Sequence, residues 1–111
     1  KKMVKTVTVP FEEFCKLEIR TGKVISAEGV PKSNKLLKLM VDIGGETRQI
    51  VAGMAQFYTP EEMTGKSVVV VVNLQPARIF GIESNGMILA AGDTASLLMP
   101  EKPVEPGTKI R

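Results

Sequence analysis

The sequence predicts an all-β fold, a small curved five-stranded Greek-key barrel, and three observations predict it. Short runs of alternating or continuous apolar residues recur along the chain. The Gly44-Gly45 pair falls between two of them as a tight hairpin turn, and a short helical signature separates the third run from the fourth.

The elements follow in order. Pro10 to Cys15, with Phe11 and Phe14 three apart, predicts a helical turn that plugs one end of the barrel. Leu17 to Glu28 predicts a long first strand, with a register break at Gly22 that reads as a bulge and implies curvature. From Lys35 to Ile43, Leu37, Leu39, Val41 and Ile43 share one face while Lys38, Met40 and Asp42 take the other, the period-2 pattern of a strand with one wet side. After the glycine turn, Glu46 to Ala52 returns as the third strand. Thr59 to Gly65 carries four signals of a short helix: a Thr N-cap, Pro at the first position, Glu at the third, and Gly to stop it. Ser67 to Val72 is continuous enough to be a buried strand, so Asn73 to Arg78 must leave the sheet. The chain re-enters at Gly86 to Ala91, then Ala95 to Met99 and a last short strand at Thr108 to Ile110 follow, separated by a turn-rich stretch with Pro100, Pro103, Pro106 and Gly107. A helix bridging strands three and four is the cue for an OB-fold; an SH3-like barrel would lack it, and a sandwich would show more strands.

The 111 residues can build one core, burying about two-thirds of the unfolded surface, so residues 1–111 read as a single domain with short terminal extensions. Residues 1–9 read as linker or tag; Lys1-Lys2 fits either, and Met3 also fits a natural start. No apolar run approaches the ~20 residues of a membrane helix, and the Lys-rich start lacks a signal-peptide core, so the expected compartment is the cytoplasm, with no membrane partner.

The residues that are missing restrict the chemistry. There is no His, and the single cysteine, Cys15, has no partner for a disulfide or a zinc site. Most nucleophilic triads and imidazole bases disappear together. Glu12-Glu13, Glu61-Glu62 and Glu101 sit beside Pro or in short polar connections and read as solvated groups rather than catalytic pairs. The expectation is a protein without catalytic residues, metal or cofactor.

Net charge is +3, a mild excess, so its distribution matters more than its size. Lys32, Lys35 and Lys38 fall within seven residues, and Arg20, Lys23, Arg48 and Arg78 lie on strand-like segments. Acidic residues cluster elsewhere, so folding would make one basic face. The loop from Pro31 to Leu39 has two readings: a solubilising lysine loop, or a grip on phosphate oxygens by charge and by Ser33 and Asn34 hydrogen bonds. Arg20 and Arg48 either pair with Glu18, Asp42 or Glu46, or point their forks at phosphate. Arg78 has only Glu83 as a nearby acid.

The stretch from Asn73 to Ala91 is the place to look for function, because a loop rich in polar residues, with Gly81 and Gly86, lets backbone approach a partner closely. Met87, following Ser84-Asn85-Gly86 at its junction with a strand, reads either as core or as adaptable contact. With no Trp and only Phe11, Phe14, Phe57, Tyr58 and Phe80, the stacking platform of single-strand binders is missing. A nucleic-acid partner would be a folded RNA read by backbone and shape, with at most Phe80 or Tyr58 stacking.

Four segments together carry a resemblance: Lys16-Leu17-Glu18-Ile19-Arg20-Thr21-Gly22-Lys23-Val24; Ser33 to Leu39; Asp42-Ile43-Gly44-Gly45-Glu46 with Arg48 to Met54; and Asn73 to Ala91. The chain resembles, over nearly its whole length, the tRNA-binding domain appended to methionyl-tRNA synthetases. In that family the domain occurs as a C-terminal extension, a beta subunit or a stand-alone protein, with relatives in an animal cytokine precursor, a yeast synthetase cofactor and a bacterial secretion chaperone. The resemblance implies an OB-fold that binds the L-shaped exterior of tRNA with little sequence preference and works as a homodimer in bacterial versions. Family members often read Pro-Arg-Lys where this chain has Pro76-Ala77-Arg78, so one basic contact is missing or displaced, and often Ser-Gly-Ile where Ala52-Gly53-Met54 stands.

The expected function is therefore a non-catalytic module that binds folded tRNA and delivers it to a methionyl-tRNA synthetase catalytic body, fused or as a partner subunit. Expected phosphate contacts are Arg20, Lys32, Lys35, Lys38, Arg48 and Arg78, while Ser33, Asn34, Asn73, Ser84 and Met87 shape the site. The segments around Phe11 to Phe14 and Val104 to Ile110 are expected to contribute to a homodimer. The rival is a dimeric peptide-binding chaperone of the same fold family, using Ile79, Phe80, Ile82 and Met87.

Overall fold

A computed structural model describes residues 6–111. Its centre is a five-stranded antiparallel sheet in the order β3-β2-β1-β4-β7, built from β1 (Ile19–Gly29), β2 (Leu37–Asp42), β3 (Thr47–Ala52), β4 (Ser67–Val71) and β7 (Met87–Ile88). The sheet curls until its two edge strands meet. That seam is closed by single contacts, the Asn85 N–H to the Gln49 carbonyl at 2.8 Å and the Val51 N–H to Ser84 Oγ at 2.9 Å. The expected barrel is present.

Alternation along β2 buries Leu37, Leu39 and Val41 against Val24, Ile50, Val68 and Val70. In β4, Val68 to Val71 are buried on both faces, which is why that strand reads as continuously apolar. Helix α2 (Pro60–Met63) lies between β3 and β4 and seals one end with Met63, which is fully buried. Its capping box is complete: Thr59 Oγ1 accepts from the Glu62 N–H at 3.1 Å, and Glu62 Oε1 accepts from the Thr59 N–H at 2.8 Å.

Several elements differ from expectation. The register shift in β1 lies between Val24 and Ser26 rather than at Gly22. Gly22 stays in register with Val68, and a Cβ there would stand 2.6 Å from Val41 Cγ1, so this glycine permits a close crossing of strands. Helix α1 (Phe11–Phe14) buries no residue and does not plug the barrel; Phe11 and Phe14 stack on each other at 6.5 Å on the surface. The strand expected at Gly86 to Ala91 divides, because β8 (Ala90–Ala91) leaves the barrel and pairs with β9 (Ser96–Leu97). The last expected strand reduces to a bridge between Lys109 and Arg20. There the C-terminal segment covers the edge of β1 that β2 does not reach, through the Thr21 N–H to Thr108 O and the Ile110 N–H to Ile19 O.

Between β4 and β7 the chain makes a hairpin of β5 (Ala77–Ile79) and β6 (Ile82–Ser84), joined by Phe80 and Gly81. Both turn residues have positive φ, 55° and 80°, as a type I′ turn demands. Among the described residues no helix is long and apolar enough to cross a membrane.

Candidate nucleic-acid interface

The loop between β1 and β2 hangs from buried Val30, whose carbonyl accepts from the Ser33 N–H at 3.0 Å. Ser33 Oγ accepts from the Lys35 N–H at 3.3 Å, and the Lys35 carbonyl accepts from the Ala55 N–H at 3.1 Å. The loop is thus stitched to the segment that follows β3. Lys32, Asn34 and Lys35 are exposed on it. Lys38, facing Glu28 across the β1–β2 ladder, makes an ion pair with it at 3.1 Å. Such a surface pair contributes under about 1 kcal/mol, so Lys38 can exchange its partner at little cost.

Arg20 and Arg48 are half-buried and already engaged. Arg20 Nε pairs with Glu18 at 3.1 Å and its Nη1 donates to the Gly107 carbonyl at 2.9 Å. Arg48 Nε pairs with Glu46 at 2.7 Å, while its Nη1 donates to the Val72 and Asn85 carbonyls at 2.7 and 3.1 Å. The two arginines and their glutamates line one polar cleft of about 400 Å³. Arg78, by contrast, is exposed on the hairpin, opposite Glu83, with its Nη1 on the Gly81 carbonyl at 3.0 Å.

The remaining sequence candidates separate by role. Asn73 fastens the start of β1 to the end of β4: its Oδ1 accepts from the Glu18 N–H at 2.7 Å and its Nδ2 donates to the Lys16 carbonyl at 2.6 Å. Ser84 is buried, with Oγ accepting from the Val51 N–H and donating to the Gly86 carbonyl at 3.3 Å. Met87 is exposed and, with Leu74, Ile79 and Met54, lines an apolar groove of about 400 Å³ between the hairpin and the end of β3. The Lys35 carbonyl ties its loop to Ala55, the residue after groove-lining Met54. Of the two rings considered for stacking, Tyr58 is half-buried and its hydroxyl accepts from the Leu97 N–H at 3.3 Å, whereas Phe80 stands exposed at the hairpin tip.

The structure therefore brings Ser84 and Met87 to one groove, places Arg20 and Arg48 in a separate cleft, and leaves Lys32, Asn34 and Lys35 exposed on the β1–β2 loop. Gln49, not among the sequence candidates, donates from Nε2 to the Glu83 carbonyl at 2.7 Å. Its polar side chain on a strand facing a long excursion was the available signal. Among the described residues no group of three or more Cys, Asp or Glu could hold a metal ion.

Residues 19–109 match the family described as "Putative tRNA binding domain". The chain is 69% identical over 111 residues to the methionine–tRNA ligase of Methanoregula boonei and 57% identical over 111 residues to that of Archaeoglobus fulgidus. These alignments cover 100% and 98% of the chain but 17% of each ligase. The chain thus spans a small part of the curated relatives it matches. Among solved structures it is similar to a MetRS related protein from Pyrococcus horikoshii, at 35% identity and a TM-score of 0.86 over 96% of this chain and 100% of that one. It is similar also to the chaperone CsaA from Bacillus anthracis, at 33% identity and a TM-score of 0.86 over 95% and 100%. The family is one of binding, without catalysis of its own. With 91 of its 111 residues inside the family's bounds (19 to 109, inclusive), the chain belongs to the tRNA-binding domain family.

Proposed function

We propose that the chain is a non-catalytic module that holds folded tRNA by backbone and shape and delivers it, in the cytoplasm, to a methionyl-tRNA synthetase catalytic body. The observation that carries this reading is the alignment of the whole chain, at 69% identity, with part of a methionine–tRNA ligase. Lys32, Lys35 and Arg78, exposed and in no ion pair among the described residues, supply the phosphate contacts, and Lys38 joins by releasing Glu28. Asn34 and Met87 shape the surface between them. Tethering makes high intrinsic affinity unnecessary, because a linked module meets its tRNA at an effective concentration of roughly millimolar.

The test is a fluorescence-anisotropy titration of bulk folded tRNA at several salt concentrations, with a Lys35→Ala, Arg78→Ala double variant beside the parent. For three to five neutralised phosphates, log affinity falls against log salt with a slope of about −2.7 to −4.5. The double variant binds more weakly and with a shallower slope. Binding indifferent to both salt and the substitutions would remove the reading.

A second reading, a dimeric peptide-binding chaperone, is favoured by the apolar groove lined by Leu74, Ile79 and Met87 together with the likeness to CsaA. It predicts salt-tolerant binding of apolar peptides, which the same titration format detects. Both readings include a homodimer, which we place at the exposed Phe11, Phe14 and Leu17 beside Ile110.

A further inference from the structure

The β5–β6 hairpin forms a two-stranded sheet of its own, and a two-stranded hairpin is marginal in water without tertiary support. Its support comes from consecutive residues of β3. Arg48 Nη1 donates to the carbonyls of Val72 and Asn85, the residues immediately before and after the 73–84 excursion. Gln49 receives the Asn85 N–H on its own carbonyl and donates its side-chain amide to the Glu83 carbonyl. One nitrogen thus ties the two ends of the excursion together, and the neighbouring residue pins its returning strand. Glu46 holds the Arg48 fork in that orientation from the other side.

We propose that Arg48 and Gln49 are positioning residues for tRNA binding: they clamp the base of the hairpin so that Arg78 and Phe80 meet the RNA in a fixed attitude. Arg48 then acts through the clamp and not as a phosphate contact. The inference rests on the tRNA-binding reading above. Preorganisation is the physical basis, since a hairpin already held in place loses less freedom on binding. A lysine cannot replace the clamp, because a point charge on a flexible stem does not reproduce a planar fork reaching two carbonyls and a carboxylate.

The experiment uses the 111-residue chain with Gln49→Ala, Arg48→Lys and Arg48→Met, each measured for tRNA affinity, for its salt slope and for thermal midpoint. The same substitutions are made in a Phe80→Trp background, where the chain has no other Trp, and time-resolved anisotropy of the free protein reads hairpin motion. Gln49→Ala, which removes no charge, is expected to loosen the reporter and weaken tRNA binding roughly three- to tenfold with the salt slope unchanged. Arg48→Lys is expected to fail to restore binding. Two results overturn the inference alone: tRNA binding and hairpin motion that ignore Gln49→Ala, or Arg48→Met lowering the slope by about 0.9, one phosphate, while Arg48→Lys restores parental affinity. Absence of binding by the unsubstituted chain would overturn the tRNA reading and this inference with it. Gln49→Ala keeps the test decisive if the Arg48 variants do not fold.

Discussion

Ser84 and Phe80 stand four residues apart and do opposite things. Ser84 is 3% exposed, and its hydroxyl satisfies the Val51 N–H where a barrel seam has no regular ladder. Ser84→Ala leaves that buried donor unpaired and should lower stability by about 1–3 kcal/mol, read as a shifted midpoint in urea. A variant as stable as the parent would show that water replaces the hydroxyl. Phe80 instead holds a large ring 56% exposed while its backbone takes φ 55°, a conformation unfavourable for any side chain. Strain joined to exposure points to use of the ring. Phe80→Gly should relieve the turn and raise stability by up to about 1 kcal/mol, while weakening tRNA binding by the ~1–3 kcal/mol of a lost base stack. Unchanged affinity would reduce Phe80 to a turn residue. Neither role could be read from residue type, because burial and backbone angle are set by neighbours distant in sequence.

Elements whose signals are local were legible. Helix α2 was readable because its cap, its Pro and its stop lie within seven residues and act on one another directly. Thr59→Ala removes the acceptor for the Glu62 N–H and should lower stability by about 1 kcal/mol, with Thr59→Ser restoring most of it. Equal melting of all three proteins would show that the box contributes nothing. The strands of the barrel were legible from period and apolar continuity, to within a few residues at their ends. What escaped was the location of the bulge, since Gly22 breaks the pattern for a packing reason against Val41 that lies in another strand. The β5–β6 hairpin also escaped, because its short strands carry Arg and Glu and its turn uses a Phe where Asn or Gly is usual. Helix α1 looked like a plug because two rings three apart suggest burial, yet among the described residues neither ring is buried.

At the scale of the whole molecule those uncovered rings suggest a second copy. Phe11 is 76% exposed and, with Phe14, Leu17 and Ile110, borders a shallow pocket beside the C-terminus. Light scattering at tens of micromolar should give twice the 12.0 kDa chain mass, and Phe11→Glu should return it to the monomer. A monomeric parent would sink the dimer. The order of strands around one short helix, the lysines of the β1–β2 loop and the absence of His were all present in the amino-acid string, and they sufficed for an OB-fold, for a lysine-rich loop and against most imidazole chemistry. Tertiary structure alone separated the arginines, because ion pairing and carbonyl contacts depend on which segments meet: Arg20 at Gly107, Arg48 at Val72 and Asn85, Arg78 on an exposed hairpin. Local pattern governs which strands form, since period and turn chemistry act between near neighbours; the partners of a long polar side chain come from wherever the closed barrel brings the chain together.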